Sequence, residues 1–270
     1  MMERTLVMKF GGASLATPKH FCHVARCIQE KFKTYTRLVI VVSAMGRMTD
    51  ELMELAREVS PQPLKREQDM LISVGERISM SLLAMALADQ GVEAISLTGS
   101  QSGIMTSNDH LEARITAVRP TRLLQHLEEG KAVIVAGFQG VSESKDITTL
   151  GRGGSDTTAV ALGVALDAEQ VEFYKDVSGF HKEDPKKIPH APLFSHLSYR
   201  EALSLAEKGS SPLHARSILL ASKNGLPLHV LSFREEEREL FSGTRIRNDQ
   251  IVRSSEPIYE NDCQGSNSTS

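Results

Sequence analysis

The chain contains no GxxxxGK[ST] segment, no CxxC pair and no HExxH, so neither a P-loop nucleotide site, a thiol-built zinc site nor a zincin-type helix is present. Clusters of lysine and arginine are missing too. Thirty-one basic residues are scattered among 34 acidic ones, for a net charge of −3, which favours no nucleic acid partner. Apolar runs such as RLVIVVSAMG stay far below the roughly 20 residues of a membrane span. The N-terminus has no apolar stretch with a cleavage site behind it. A cytoplasmic protein without membrane contact is therefore expected. The three cysteines, Cys22, Cys27 and Cys263, are odd in number and irregularly spaced, which argues against a disulfide framework and for reduced, mostly buried thiols.

What is present alternates. TLVMKF stops at Gly11-Gly12, as a buried strand ending in a tight turn does, and Thr17-Pro18 then opens a helix carrying Phe21, Val24, Ile28 and Phe32 at helical spacing. RLVIVVS repeats the strand pattern, and Thr49 opens a helix with Leu52, Leu55, Ala56 and Val59 on one stripe. A long helix is expected from about Lys65 to Gln90, closed by Gly91. VEAISL, KAVIVAGF and QVEFYKD read as further strands, PLHVLSF as the last one, with helices from near Pro120, Ser155 and Ser198. Alternation of this kind implies an α/β fold, an open and mainly parallel sheet between helix layers, with ligands beyond the carboxyl ends of the strands. The loops to watch are then 11–14, 43–49, 138–156 and 176–187. No internal repeat is visible. From about Asn248 the composition turns to Ser, Asn, Gln and acid, and residues 248–270 are expected to be a disordered tail.

Two of those loops carry chemistry by residue type alone. In MKFGGAS, Lys9 stands at a strand end before two glycines whose N–H groups can close on an anion; a plain strand-end lysine is the alternative. In TTLGRGGSD, Gly151, Gly153 and Gly154 bare the backbone around Arg152, whose planar fork suits a carboxylate. Ser155 and Asp156 begin the next helix, where Asp156 could cap that helix, position Lys9 or meet a metal ion. Glu76, in SVGE, is by itself compatible with a solvated helix carboxylate. His110, His181 and His214 show no metal-ligand spacing.

KFGGAS, VVSAMGRMTDEL, LISVGERIS, TTLGRGGSDTTAVALG, KDVSGFHKEDP and GSSPLHARSI occur in an order and spacing that resemble the aspartate kinases of the amino acid kinase family, over about residues 6–246. The resemblance implies a catalytic domain at 1–247, with an amino-acid-binding half at 1–147 and a nucleotide-binding half at 148–247. It implies phosphorylation of the β-carboxylate of L-aspartate by MgATP, the first step toward lysine, threonine and methionine. Carried over, Arg152 holds the α-carboxylate and Glu76 the ammonium, while Ser43, Thr49 and Ser155 line neighbouring turns. Lys9 and Asp156 are the expected catalytic pair. Lys9, Gly11, Gly12, Ser14, Lys175, Asp176, His181, Lys186 and Ser211 are the expected nucleotide contacts. Mg²⁺ is expected with the ATP, and no metal ligands are assigned among the residues. A homodimer is compatible with the resemblance.

The nucleotide half departs from the family pattern. Lys175-Asp176 stands for Thr-Asp, His181 for a tyrosine, Asp184-Pro185-Lys186 for Asp-Pro-Arg, and Ser211 for the lysine of GAKVLHP. The chain also ends soon after SGTRI, where aspartate kinases usually continue into ACT domains, so feedback within the chain is expected to be absent. Two other functions remain open: a different carboxylate or phosphate kinase of the same fold, and a non-catalytic amino-acid-binding paralogue with a drifted nucleotide site.

Overall fold

The structure is a computed structural model and describes residues 4–183, 191–248, 253–254 and 256–261. Along the chain run β1 Thr5–Phe10, α1 Pro18–Lys31, β2 Arg37–Val42, α2 Met48–Val59, α3 Lys65–Ile72, α4 Val74–Asp89, β3 Ala94–Leu97, β4 Ile104–Thr106, β5 Ile115–Val118, α5 Thr121–Glu128 and β6 Ala132–Ala136. There follow β7 Gln139–Ser142, β8 Ile147–Thr149, α6 Gly154–Ala165, β9 Gln170–Lys175, β10 His196–Leu197, α7 Tyr199–Glu207, α8 Ala215–Asn224, β11 Leu228–Ser232, α9 Glu235–Leu240 and β12 Thr244–Ile246.

Eight strands form one sheet in the order β10-β12-β11-β9-β1-β2-β6-β3. All of its pairings are parallel except β11 with β12. The central strands are covered on both faces, which is why they read as unbroken apolar runs. Strand alternation divides their side chains between two cores. Leu6, Met8 and Phe10 face α1 and α4, where Phe21, Val24, Ile28, Leu83 and Leu87 wait. Val7, Val171 and Phe173 face α6 and α8. The two-residue period then carries Lys9 and Lys175 onto the α6 face as well. Helix α6 is buried over Gly154–Gly163; Gly163 lets it close on the sheet, since a Cβ there would lie 2.8 Å from Val171.

Several expectations are corrected. A second, four-stranded sheet, β5-β4-β7-β8, stands beside the first; its strands of three or four residues are too short for a periodic signal. The long helix is broken at Ser73 into α3 and α4, although Gly91 does have the left-handed φ of +75° that closes a helix. Taken together, Lys65–Asp89 is long and apolar enough to cross a membrane by composition, yet Met80, Leu83 and Leu87 are packed in the core. Strand β12 follows the strand expected to be last. Cys22 is exposed rather than buried and Cys27 half-buried, both free; Cys263 lies outside the described residues. Within the stretch expected to be disordered, Tyr259 and Glu260 are instead buried, because apolar and hydrogen-bonding partners from distant segments meet them, which composition does not reveal.

Candidate active site

A cavity of about 710 Å³ opens at the carboxyl ends of β1 and β2, where the parallel sheet predicted it. Its walls bring together Lys9, Gly12, Ser43, Thr49, Glu76, Arg152, Ser155 and Asp156. The close approach of two loops makes it: Gly46 N–H donates to the Gly12 carbonyl at 3.1 Å, and a Cβ on Gly12 would stand 2.9 Å from the Ala44 carbonyl oxygen. Only glycine fits there without displacing backbone.

At the inner end, three charges converge. Lys9 Nζ lies 2.8 Å from Asp156 Oδ1, and Lys175 Nζ lies 2.7 Å from Asp156 Oδ2. Lys9 and Lys175 come from the neighbouring parallel strands β1 and β9, where Lys9 stands opposite Phe173 and Lys175 two residues further on, and Asp156 comes from the first turn of α6. Asp156 is thus in contact with Lys9, and no side chain caps α6. Burial opposes ionisation of Asp156, but the ammoniums of Lys175 and Lys9 hold its pKa down to about 2. Burial also lowers Lys175, which Asp156 only partly offsets, leaving it at about 8. Two ammoniums against one carboxylate leave one net positive charge in this group, of which Lys9 and Asp156 stand on the cavity wall.

Glu76 sits on the first turn of α4 and is 3% exposed, so the solvated-carboxylate reading is set aside. Its Oε1 accepts the Ala44 N–H at 3.0 Å, whereas Oε2 has no partner among the described residues. Burial pushes its pKa up from 4.5 to about 7, against the pull of the Ala44 N–H and of Lys9. An unpartnered buried carboxylate oxygen on a cavity wall can accept from a cation. Arg152, also on the cavity wall, is exposed and makes no hydrogen bond or ion pair with another described residue. It rides on Gly151 and Gly153, at φ +70° and +74°.

The other expected contacts, Gly11 and Lys175 among them, lie outside the walls of this cavity. Ser14 is buried and its hydroxyl donates to the Gly11 carbonyl at 2.7 Å, closing its own turn. Asp176 is exposed at the end of β9. His181 Nδ1 lies 2.8 Å from the Ala191 carbonyl oxygen. The Ser211 hydroxyl donates to the Leu213 carbonyl at 2.7 Å and accepts the Leu213 N–H at 3.1 Å, so it is committed to its own loop. Lys186 falls outside the described residues.

Sequence reasoning missed Asp69, which is fully buried behind the cavity. It accepts the Thr149 hydroxyl at 2.5 Å and the Leu111 N–H at 3.1 Å, and lies 2.6 Å from His110 Nδ1. Leu111 and Phe138, both on the cavity wall, have left-handed backbones at φ +72° and +68°, a strain that non-glycine residues keep only where surroundings enforce it. A signal existed: Asp69 occupies the inner face of α3, three residues before buried Ile72, where the helical period calls for an apolar side chain.

The profile of the amino acid kinase family matches residues 4–232. The aspartokinase of Geobacillus stearothermophilus is 49% identical over 233 residues, which are 86% of this chain and 57% of that protein. The aspartate kinase of Synechocystis superposes with a TM-score of 0.82 at 40% identity, covering 95% of this chain and 41% of the other. Aspartokinase III of E. coli in complex with aspartate and ADP gives a TM-score of 0.82 at 25% identity, covering 92% of this chain and 65% of that one. The chain thus spans about half the length of the curated relatives it matches.

Proposed function

The chain belongs to the amino acid kinase family, and on that footing we propose that it transfers the γ-phosphoryl group of ATP to the β-carboxylate of L-aspartate, as an enzyme of amino-acid biosynthesis. One observation carries the substrate reading: the same cavity is lined by Glu76, with an unpartnered buried carboxylate oxygen, and by Arg152, whose guanidinium is uncommitted among the described residues. That pair matches the ammonium and α-carboxylate of a free amino acid, and Ser43, Thr49 and Ser155 add hydroxyls on the same walls.

With both ends of the amino acid held, the substrate's side-chain carboxylate points toward Lys9. It needs no general base, because a carboxylate with a pKa of about 3.9 is already ionised. Its oxygen forms a bond to the γ-phosphorus while the bond to the β,γ-bridging oxygen breaks, and ADP leaves with that electron pair. The difficulty is bringing one anion up to another. The net positive charge of the Lys9–Asp156–Lys175 group and the N–H groups of Gly11 and Gly12 meet it by positioning and electrostatic stabilisation.

A protein-borne metal centre does not fit these residues. The Asp156 carboxylate is occupied by two ammoniums, and no group of three His, Cys, Asp or Glu among the described residues is arranged for a metal. Magnesium would enter on the nucleotide's phosphates. The nucleotide half is proposed as residues 148–247, with Lys175 on the phosphate side.

The test is trapping of β-aspartyl phosphate as its hydroxamate, with aspartate, MgATP and hydroxylamine. Product well above a Lys9→Ala control is expected. Folded protein that binds aspartate and forms no hydroxamate would make this an amino-acid-binding protein rather than a kinase.

A further inference from the structure

The segment 256–261 is docked by specific bonds rather than by bulk. Asn224, the last residue of α8, brackets Ile258: its Nδ2 donates to the Ile258 carbonyl and its Oδ1 accepts the Ile258 N–H, both at 2.9 Å. This sets Glu260 against β5. There the Glu260 N–H donates to the Ile115 carbonyl at 3.1 Å, and Oε2 accepts the Ile115 N–H at 2.7 Å.

The same carboxylate takes Arg216 in a fork, with Nε to Oε1 at 2.8 Å and Nη2 to Oε2 at 3.0 Å. Arg216, in the first turn of α8, uses its remaining reach on two carbonyls. Nη1 donates to Leu150, and Nη2 donates to Ala113 at 3.1 Å. Leu150 directly precedes the Gly151-Arg152-Gly153 turn. The far end of that turn is pressed by His214, the residue capping α8, since a Cβ on Gly153 would lie 2.4 Å from the His214 Cβ. Arg152 therefore rides on a turn gripped at both ends by the start of one helix. The counter-charge for that grip comes from Glu260.

We propose that Glu260 is a positioning residue of the amino acid pocket: through Arg216 it fixes the Leu150–Gly153 turn and thereby the placement of Arg152. The physical reason is the cost of a buried charge without its partner. Arg216 and Glu260 side chains are 16% and 7% exposed. Arg114 Nη1 lies 3.5 Å from the same carboxylate, so losing the negative charge leaves two guanidiniums repelling each other. Arg216 then withdraws from the Leu150 carbonyl, and the turn loosens. The consequence for substrate rests on the reading of Arg152 as the α-carboxylate holder.

Two variants test it. Glu260→Gln keeps the shape and the acceptor for the Ile115 N–H but removes the charge, and Arg216→Lys keeps the charge but cannot reach both carbonyls. Calorimetric titration should show aspartate binding weakened about three- to thirty-fold, the range of coupling between residues in one network, with MgATP affinity changed by less than about twofold. Amide hydrogen exchange should accelerate at 151–155 while β1 and β2 keep wild-type protection. Unchanged exchange at 151–155 in both variants overturns the proposal, as does an equal loss of aspartate and ATP affinity with exchange raised throughout. If the unmodified protein binds no aspartate, the substrate reading fails, and the exchange measurement alone decides the role of Glu260.

Discussion

Lys175 Nζ stands 2.7 Å from Asp156 Oδ2, on the carboxylate whose other oxygen holds Lys9 at 2.8 Å. Lys175 thus supplies a second ammonium at the inner end of the site, while Ser211, where the family pattern has a lysine, is turned onto Leu213. Lys175→Met should raise the KM for ATP by about 10- to 100-fold, the scale of one charge-assisted hydrogen bond, and leave the KM for aspartate nearly unchanged. Ser211→Lys added to that variant should recover part of the loss. A wild-type KM for ATP in Lys175→Met would remove Lys175 from the phosphate side.

The pH dependence of kcat/KM should have two limbs of different origin. Glu76 must be ionised to receive an ammonium, so kcat/KM for aspartate should rise through pH about 7. Lys175 must be charged to meet phosphate, so kcat/KM for ATP should fall above pH about 8. Lys175→Arg should carry the alkaline limb upward and leave the acid limb in place. An alkaline limb unmoved by that substitution would belong to another group.

Glu76 should also lower stability at neutral pH. Its folded-state pKa of about 7 lies above the ordinary 4.5, so the folded protein keeps a proton that the unfolded chain has released. The stabilisation is full below pH 4.5 and is lost as pH rises to 7, a difference of about 3 kcal/mol. Glu76→Gln is therefore expected to unfold at higher temperature than wild type at pH 8, to match it near pH 4.5, and to bind no aspartate. A lower Tm than wild type at pH 8 would contradict this.

Arg152→Lys keeps the charge but loses the planar fork, and should weaken aspartate by about 1.5 to 3 kcal/mol with ATP affinity unaltered. Equal aspartate KM values for the variant and wild type would show that Arg152 does not hold the carboxylate.

Gly153→Ala places a Cβ 2.4 Å from His214 at φ +74°. Left-handed backbone alone costs about 1 to 2 kcal/mol, and overpacking about 1 to 3 more. Chemical denaturation should show a loss in that range, and aspartate binding should fall because the Arg152 turn moves. A fully stable variant with normal aspartate affinity would mean that the turn accommodates the methyl group.

The central strands and helices were readable because their information is local. The alternation in TLVMKF assigns Leu6, Met8 and Phe10 to one face and Val7 and Lys9 to the other without any distant residue. Ser198 likewise stands at the expected start of α7, and the structure adds the reciprocal capping bonds with Glu201. Glycine turns flanking Lys9 and Arg152 mark the site in the same local way.

Tertiary structure decided the rest, because each remaining property belongs to a pair of residues far apart in the chain. No local feature sets the burial of Glu76, which follows from α4 packing its Gly75 against Ala44. Nor could composition order the segment around Glu260, whose partners Ile115, Arg216 and Asn224 come from β5 and from the two ends of α8. The sequence by itself determined which residue types stand at the ends of which strands. Whether Lys9 and Lys175 share Asp156, and whether Glu76 and Arg152 stay without an ion-pair partner among the described residues, was decided only when parallel strands and α6 fixed their distances, since the strength of a charge interaction depends on separation and surrounding dielectric.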